Sequence, residues 1–117
     1  MLQVFVYGTL KRGQRNAHYL QQAQYLGEFV TDAAYRMFLF DDYPAVCLQG
    51  SHAIRGEVYR VTETEFNALD ELEGYPDFYQ RIEIDTSFGQ SWIYIVTAAL
   101  CHERQELAGL WPEQSGG

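Results

Sequence analysis

An acidic residue, Glu73, stands among apolar residues on a predicted helix. At about 100° per residue it projects between Phe66 and Leu69, inside an apolar stripe that Leu72 extends. Burial there disfavours the ionised carboxylate and raises its pKa, and the negative end of the helix dipole acts in the same direction. A carboxyl group whose pKa is raised from about 4.3 toward neutrality is suited to general acid–base catalysis. Glu73 is therefore the candidate catalytic residue.

Local signals define both ends of this helix. Thr62 and Glu65 form a capping box, in which the Thr62 hydroxyl accepts a hydrogen bond from the Glu65 amide. Gly74 suits a left-handed C-cap and Pro76 prevents continuation, so the helix is predicted to end at about Glu73. The position in the last turn leaves an alternative open, because a frayed end would let this side chain swing into water.

The segment YGTLKRG, residues 7–13, is a second candidate site, and it follows a predicted strand near residues 2–7. Two glycines, a hydroxyl and two cations are typical of a plain turn. They also suit a loop that binds a ligand through its backbone, because a glycine without a Cβ lets main-chain atoms come close. The residue types alone leave both interpretations open.

The rest of the chain predicts a strand-rich α+β domain. A short helix or turn is expected after Asn16. Alternating apolar residues and turn signals predict further strands at 24–31, 35–40, 44–49, 54–61, 79–86 and 91–98. Many short strands in a small chain tend to close up and hide their edges. We therefore predict a small mixed β-barrel with flanking short helices, a single domain over residues 1–117 with a loose tail from about residue 112.

Composition limits the classes of function. The 117-residue chain is 47% hydrophobic, enough to fold around one core, and its formal net charge is −8. Such an acidic chain repels phosphate backbones, so we expect no nucleic-acid partner. No stretch approaches the roughly 18 apolar residues of a membrane span, and no signal peptide is visible. We therefore expect a cytoplasmic protein without a membrane partner.

Metal and nucleophile chemistry have little support in the sequence. His18, His52 and His102 show no metal-ligand spacing with the two cysteines, so we expect no metal and no other cofactor. Cys47 and Cys101 are typical of reduced, buried thiols. The spacing does not exclude a Cys–His nucleophile pair, although no neighbouring group that would activate it is evident.

Three segments in a fixed order resemble the γ-glutamylcyclotransferase-like (AIG2-like) family, most closely the branch that contains γ-glutamylamine cyclotransferase. They are VFVYGTLKRGQ at residues 4–14 with Asn16, GEVYRV at 56–61 and LDELEGYPDFYQR at 69–81. The first motif alone is moderately specific, whereas the three in this order are strongly so. The region between residues 32 and 53 matches less distinctly, which leaves open the residues that select the far end of the substrate.

The resemblance implies a small β-barrel with a pocket at its mouth and Glu73 as the catalytic acid/base. It implies that the substrate-binding residues are Tyr7, Gly8, Thr9, Leu10 and Tyr79. Successive N–H groups of the first loop would then bind the substrate α-carboxylate or the developing oxyanion.

The reaction implied by the resemblance is intramolecular. The α-amine of a γ-glutamyl-amine or γ-glutamyl-amino acid attacks its own γ-amide and releases 5-oxoproline and a free amine. Well-oriented reactions of this kind reach effective molarities of about 10⁵–10⁸ M, so no nucleophilic Ser or Cys is needed. Two alternatives stay open: a noncatalytic protein that binds a small metabolite or a partner, and another acyl transfer such as hydrolysis of the γ-glutamyl bond. The leaving amine, and the choice between monomer and dimer, are also open.

Overall fold

The computed structural model describes residues 2–112, within which two β-sheets, one α-helix and short 3₁₀ helices are formed. In this range the strands are β1 (Leu2–Val6), β2 (Gln24–Val30), β3 (Tyr35–Phe40), β4 (Tyr43–Leu48), β5 (Arg55–Val61), β6 (Gln80–Thr86), β7 (Gly89–Ile95) and β8 (Glu106–Leu107). The α-helix, α1, spans Glu63–Glu73, and the 3₁₀ helices span Ala17–Leu20 and Ala98–Cys101. The tail that we predict to be loose lies beyond residue 112, outside the described residues.

Strand β1 is the centre of the larger sheet, whose order is β2-β5-β1-β7-β6. It pairs antiparallel with β5 and parallel with β7. Val4 and Val6 pack into one hydrophobic cluster, whereas Phe5 packs into another on the opposite face. A strand that is apolar on both faces is typical of a position between two layers. Because β1 ends in the protein interior, the loop that follows it begins at a buried residue, Tyr7.

The smaller sheet, ordered β4-β3-β8, lies against the end of β7. The Val96 N–H, just after β7, donates to the carbonyl oxygen of Val46 in β4 at 2.9 Å. Within residues 2–112, β2 and β6 remain edges of the larger sheet, so the α+β class is confirmed but the closed barrel is wrong. Alternation along a strand determines which side chains are buried, whereas closure depends on which strands pair, and that information is not local.

Boundaries of the predicted strands differ from the observed ones by up to three residues, and the short helix after Asn16 is confirmed as a 3₁₀ helix. The sequence pattern missed β8 and the second 3₁₀ helix. These elements contain two and four residues respectively, too few to show a periodicity.

Helix α1 forms as its capping signals predict. The Thr62 hydroxyl accepts from the Glu65 N–H at 3.1 Å, and the Glu65 carboxylate accepts from the Thr62 N–H at 2.7 Å. At the other end Gly74 adopts the left-handed conformation, with φ of 67°, and its N–H donates to the carbonyl oxygen of Glu71 at 3.2 Å. Such bonds satisfy carbonyl groups that a helix end otherwise leaves without partners. The helix is therefore ordered up to its final residue, Glu73.

Cys47 and Cys101 are buried free thiols, as predicted. In the described range, His, Cys, Asp and Glu side chains form no group of three or more that could hold a metal ion. None of the helices within residues 2–112 combines the length and the apolar character needed to cross a membrane.

Candidate active site

A cavity of ≈ 280 Å³ opens where β1 ends, between the following loop, the start of β4, β7 and the last turn of α1. All the residues that the sequence singled out lie in its walls: Tyr7, Gly8, Thr9, Leu10, Glu73 and Tyr79. Two motifs from different halves of the chain thus contribute to one site. The structure places these residues together, and their chemical roles are inferred below.

Glu73 reaches the cavity from the last turn of α1. Phe66 and Leu69 on the same helix are buried in the core, as the apolar stripe predicts. Leu72 instead is 36% exposed and lines the cavity. Burial of the Glu73 carboxyl group raises its pKa to about 7. The ordered, capped last turn favours this enclosed position over the frayed alternative.

An ion pair attaches the same turn of α1 to the sheet. Arg81 donates from Nε and Nη2 to the two carboxylate oxygens of Asp70 at 2.9 and 3.1 Å, and both side chains are less than one-fifth exposed. The Tyr94 hydroxyl donates to Oδ1 of Asp70 at 2.7 Å. Two-pronged, charge-assisted bonds define orientation as well as distance. Tyr94 also lines the cavity, so this network connects the β7 wall of the cavity to the helical turn that carries Glu73.

Two buried tyrosines connect the walls through their hydroxyl groups. Tyr7 donates to the carbonyl oxygen of Tyr94 at 2.7 Å and accepts from the Val46 N–H at 3.2 Å. Tyr79 donates to the carbonyl oxygen of Pro44 at 2.9 Å. Burial raises the pKa of both phenols, and the charge of Glu73 contributes in the same direction. Both therefore stay protonated near neutral pH and hold strands together as hydrogen-bond donors.

The loop after Tyr7 folds back on itself and engages its own acceptors. The Lys11 N–H donates to the carbonyl oxygen of Gly8 at 3.0 Å. Asn16 donates twice to Thr9, from its main-chain N–H to the carbonyl oxygen at 2.9 Å and from Nδ2 to the hydroxyl at 3.0 Å. Within residues 2–112, no main-chain bond is donated by the N–H groups of Gly8, Thr9 and Leu10. These N–H groups remain for solvent or a ligand.

Gly8 packs closely against the wall formed by β4. A Cβ added at Gly8 would lie 2.9 Å from Cγ of Pro44, closer than ordinary contact. The sequence suggested that this glycine admits a ligand to the backbone. The structure shows a further reason for it, since a side chain here would push the loop away from β4.

Sequence reasoning did not assign several cavity residues, among them Arg15, Asn16, Tyr43, Pro44, Phe78 and Tyr94. Asn16 and Phe78 belong to the motifs that carry the family resemblance. For these two residues the sequence therefore did contain a signal. Tyr94 faces the cavity because β7 pairs with β1, and no local pattern reveals such a pairing.

Comparison with known proteins identifies the family. The chain matches the family described as "Gamma-glutamyl cyclotransferase, AIG2-like" over residues 4–113. The chain belongs to this family. Among its relatives, a Vibrio cholerae protein named "Putative gamma-glutamylcyclotransferase" is 46% identical over 92 residues, which cover 79% of each chain. Membership of the family, which three sequence motifs predicted, is thereby confirmed.

Solved structures extend the comparison to the fold of this AIG2-like chain. The solution structure of the Escherichia coli protein YtfP is 31% identical, with a TM-score of 0.78, and the match covers 96% of this chain and 97% of that one. The crystal structure of an AIG2-like protein from Mus musculus is 26% identical, with a TM-score of 0.80, and the match covers 100% and 90%. The two-sheet arrangement is therefore shared with solved members over nearly the whole chain.

Proposed function

We propose that this AIG2-like protein is a γ-glutamyl cyclotransferase in which Glu73 moves the protons. The observation that carries the proposal is a carboxyl group with a pKa of about 7 in a cavity that is also lined by Gly8, Thr9 and Leu10, whose N–H groups have no hydrogen-bond acceptor within residues 2–112. The name of the Vibrio cholerae relative supports the same class of reaction. A proton carrier and a set of fixed donors are what an intramolecular acyl transfer requires.

The reaction closes a five-membered ring within one molecule. The α-nitrogen of the substrate forms a bond to the γ-carbonyl carbon, and the bond from that carbon to the amide nitrogen breaks. The α-ammonium group gives up two protons, and the departing nitrogen gains two to leave as an ammonium ion. The overall reaction at neutral pH therefore neither takes up nor releases protons, and the enzyme has only to carry them between two nitrogens of the same substrate.

Glu73 suits this carrier role because its pKa of about 7 leaves both protonation states populated near neutrality. The carboxylate accepts a proton from the attacking nitrogen, and the carboxylic acid returns it to the leaving nitrogen. General acid–base participation of this kind contributes about 10²–10⁴-fold to a rate.

The N–H groups of Gly8, Thr9 and Leu10 suit the glutamyl end of the substrate. They bind its α-carboxylate, or the oxyanion that develops on the γ-carbonyl, as main-chain donors do in anion sites. The buried rings of Tyr7 and Tyr79 close the inner part of the cavity. They limit access of water, which favours cyclisation over hydrolysis of the same bond.

The proposal is tested by incubating the purified protein with γ-glutamyl-amines and γ-glutamyl-amino acids and identifying products by mass spectrometry. Release of 5-oxoproline is expected, together with its loss in Glu73→Gln, which is nearly isosteric and should still bind substrate. Free glutamate in place of 5-oxoproline would indicate hydrolysis. Thermal stabilisation by the compounds without any product would indicate a noncatalytic binding protein.

A further inference from the structure

The outer rim of the cavity carries a positive charge that the proposed chemistry does not use. Among the cavity-lining residues in the described range, Arg15 carries the only positively charged side chain, and this side chain is 49% exposed. By contrast, Tyr7 and Leu10, earlier in the same loop, are buried. The loop therefore runs from an enclosed inner end, where the free amides lie, to a half-exposed outer end at Arg15.

Arg15 forms an ion pair with an aspartate from the turn between β3 and β4. Nη1 donates to Oδ2 of Asp42 at 2.9 Å, and Nη2 donates to Oδ1 at 3.1 Å. Nη1 also approaches the Asp42 carbonyl oxygen at 3.4 Å. These bonds link the loop after β1 to the turn between β3 and β4 at the protein surface, where the Asp42 side chain is 75% exposed.

The ion pair leaves part of the guanidinium group available. Arginine has five N–H donors in a planar arrangement, and the contacts with Asp42 use three of them. Among residues 2–112, neither Nε nor the second hydrogen of Nη2 has a partner. These two donors lie side by side on one edge of the group, which is the spacing that a carboxylate accepts.

We propose that Arg15 binds a carboxylate on the leaving group of the substrate and so favours γ-glutamyl-amino acids over γ-glutamyl-amines that carry no carboxylate. This assignment rests on the proposed function, because it presumes that the inner amides hold the glutamyl end. The leaving group then points to the open rim, where the half-exposed Arg15 lines the cavity. The chain carries a net charge of −8, so an anionic leaving group needs a local cation to enter.

The experiment compares two substrates that differ only by this carboxylate, γ-glutamylalanine and γ-glutamylethylamide. For the wild type we expect a higher kcat/KM with γ-glutamylalanine. In Arg15→Gln, we expect KM for γ-glutamylalanine to rise about tenfold, as for loss of one charge-assisted contact. Its kinetics with γ-glutamylethylamide should stay unchanged.

Asp42→Asn is the matched control, because it breaks the same ion pair and keeps the arginine. It should retain the preference for γ-glutamylalanine. The assignment is overturned if Arg15→Gln impairs both substrates equally, which would mean that Arg15 binds the glutamyl end. It is also overturned if the two variants behave alike, since Arg15 would then act only through the ion pair.

Failure of the proposed function would be distinguishable from failure of this assignment. If the wild type turns over neither these two compounds nor the wider set of γ-glutamyl-amines and γ-glutamyl-amino acids, the cyclotransferase proposal fails, and the two compounds are titrated calorimetrically on the wild type and Arg15→Gln. Tighter binding of γ-glutamylalanine that disappears in Arg15→Gln supports the carboxylate subsite. Equal affinities for the two compounds on the wild type overturn it.

Discussion

The hydroxyl group of Tyr94 donates a hydrogen bond to Asp70 at 2.7 Å and so ties β7 to the turn of α1 from which Glu73 projects. Asp70 also accepts two bonds from Arg81. The carboxylate that faces the cavity and the carboxylate that fixes the helix are three residues apart, with one enclosed in the cavity and the other held in an ion pair. The same short helix thus carries the candidate catalytic group and the contacts that position it.

Removing the hydrogen bond from Tyr94 to Asp70 should lower kcat by more than the loss of stability alone explains. We expect Tyr94→Phe to lower the free energy of unfolding by about 1.5 kcal/mol, as for one hydrogen bond to a charged group. It should also lower kcat, because the turn that carries Glu73 is less well defined. Urea denaturation and steady-state kinetics measure the two effects.

Thr62→Ala is the control for this prediction, since it removes the capping bond at the opposite end of α1. It should lower stability by about 1 kcal/mol and leave kcat unchanged. An equal fall of kcat in both variants would show that the rate follows helix stability and not the bond to Asp70.

The pH dependence of kcat/KM should show the raised pKa of Glu73. Because the carboxylate form accepts the first proton, kcat/KM should increase with pH through an apparent pKa near 7. Glu73→Gln should lack this limb and retain only residual activity. The profile is measured between about pH 3.5 and 8.5 with a γ-glutamyl-amino acid. A limb near the ordinary value of 4.5 would mean that the carboxyl group is solvated.

The raised pKa of Glu73 should make the folded protein less stable as the pH rises. The folded-state pKa of Glu73 is about 7, above the ordinary value of 4.5, so the folded protein binds more protons between these values. Its contribution to stability is therefore fully present below about pH 4.5 and is lost as pH rises to about 7. One pKa unit corresponds to about 1.4 kcal/mol; because the residue is partly exposed, we expect a loss of about 1–2 kcal/mol in total.

Glu73→Gln should be free of this loss and should gain stability relative to the wild type as pH rises from 4 to 8. Urea denaturation at several pH values measures the difference. The control is Glu71→Gln, which removes an exposed carboxylate from the same helix. Parallel pH profiles of the wild type and Glu73→Gln would contradict the burial of this carboxyl group.

Gly8→Ala should impair turnover through its contact with β4. The added Cβ would lie 2.9 Å from Cγ of Pro44, so the loop has to move away, and its free amides move with it. A displacement of about 1 Å can lower a rate by about 10²-fold, so we expect a fall of kcat/KM between about 10- and 100-fold.

Pro44→Ala in the same chain should restore part of the activity, because it removes the ring atoms that the new methyl group meets and keeps the main-chain carbonyl that Tyr79 binds. Additive losses in the double variant would show that Gly8 matters for another reason, such as direct contact with substrate.

Local sequence determined the parts of this protein that depend on neighbouring residues. The capping box at Thr62 and the left-handed Gly74 set the ends of α1, because both act within one helical turn. Helical periodicity then placed Glu73 on the inward side. The alternation of side chains along β1 likewise places Val4 and Phe5 on opposite faces.

Tertiary structure alone decided how these pieces meet. The strand order, the open edges at β2 and β6, and the position of Tyr94 in the cavity follow from pairings between strands far apart in the chain. The ion pair between Arg15 and Asp42 likewise joins two separate turns of the chain. Hydrophobic patterns specify that a residue is buried but not which distant residue covers it, because many partners bury the same area equally well. The inward carboxylate was therefore readable from the sequence, whereas the cavity around it required the fold.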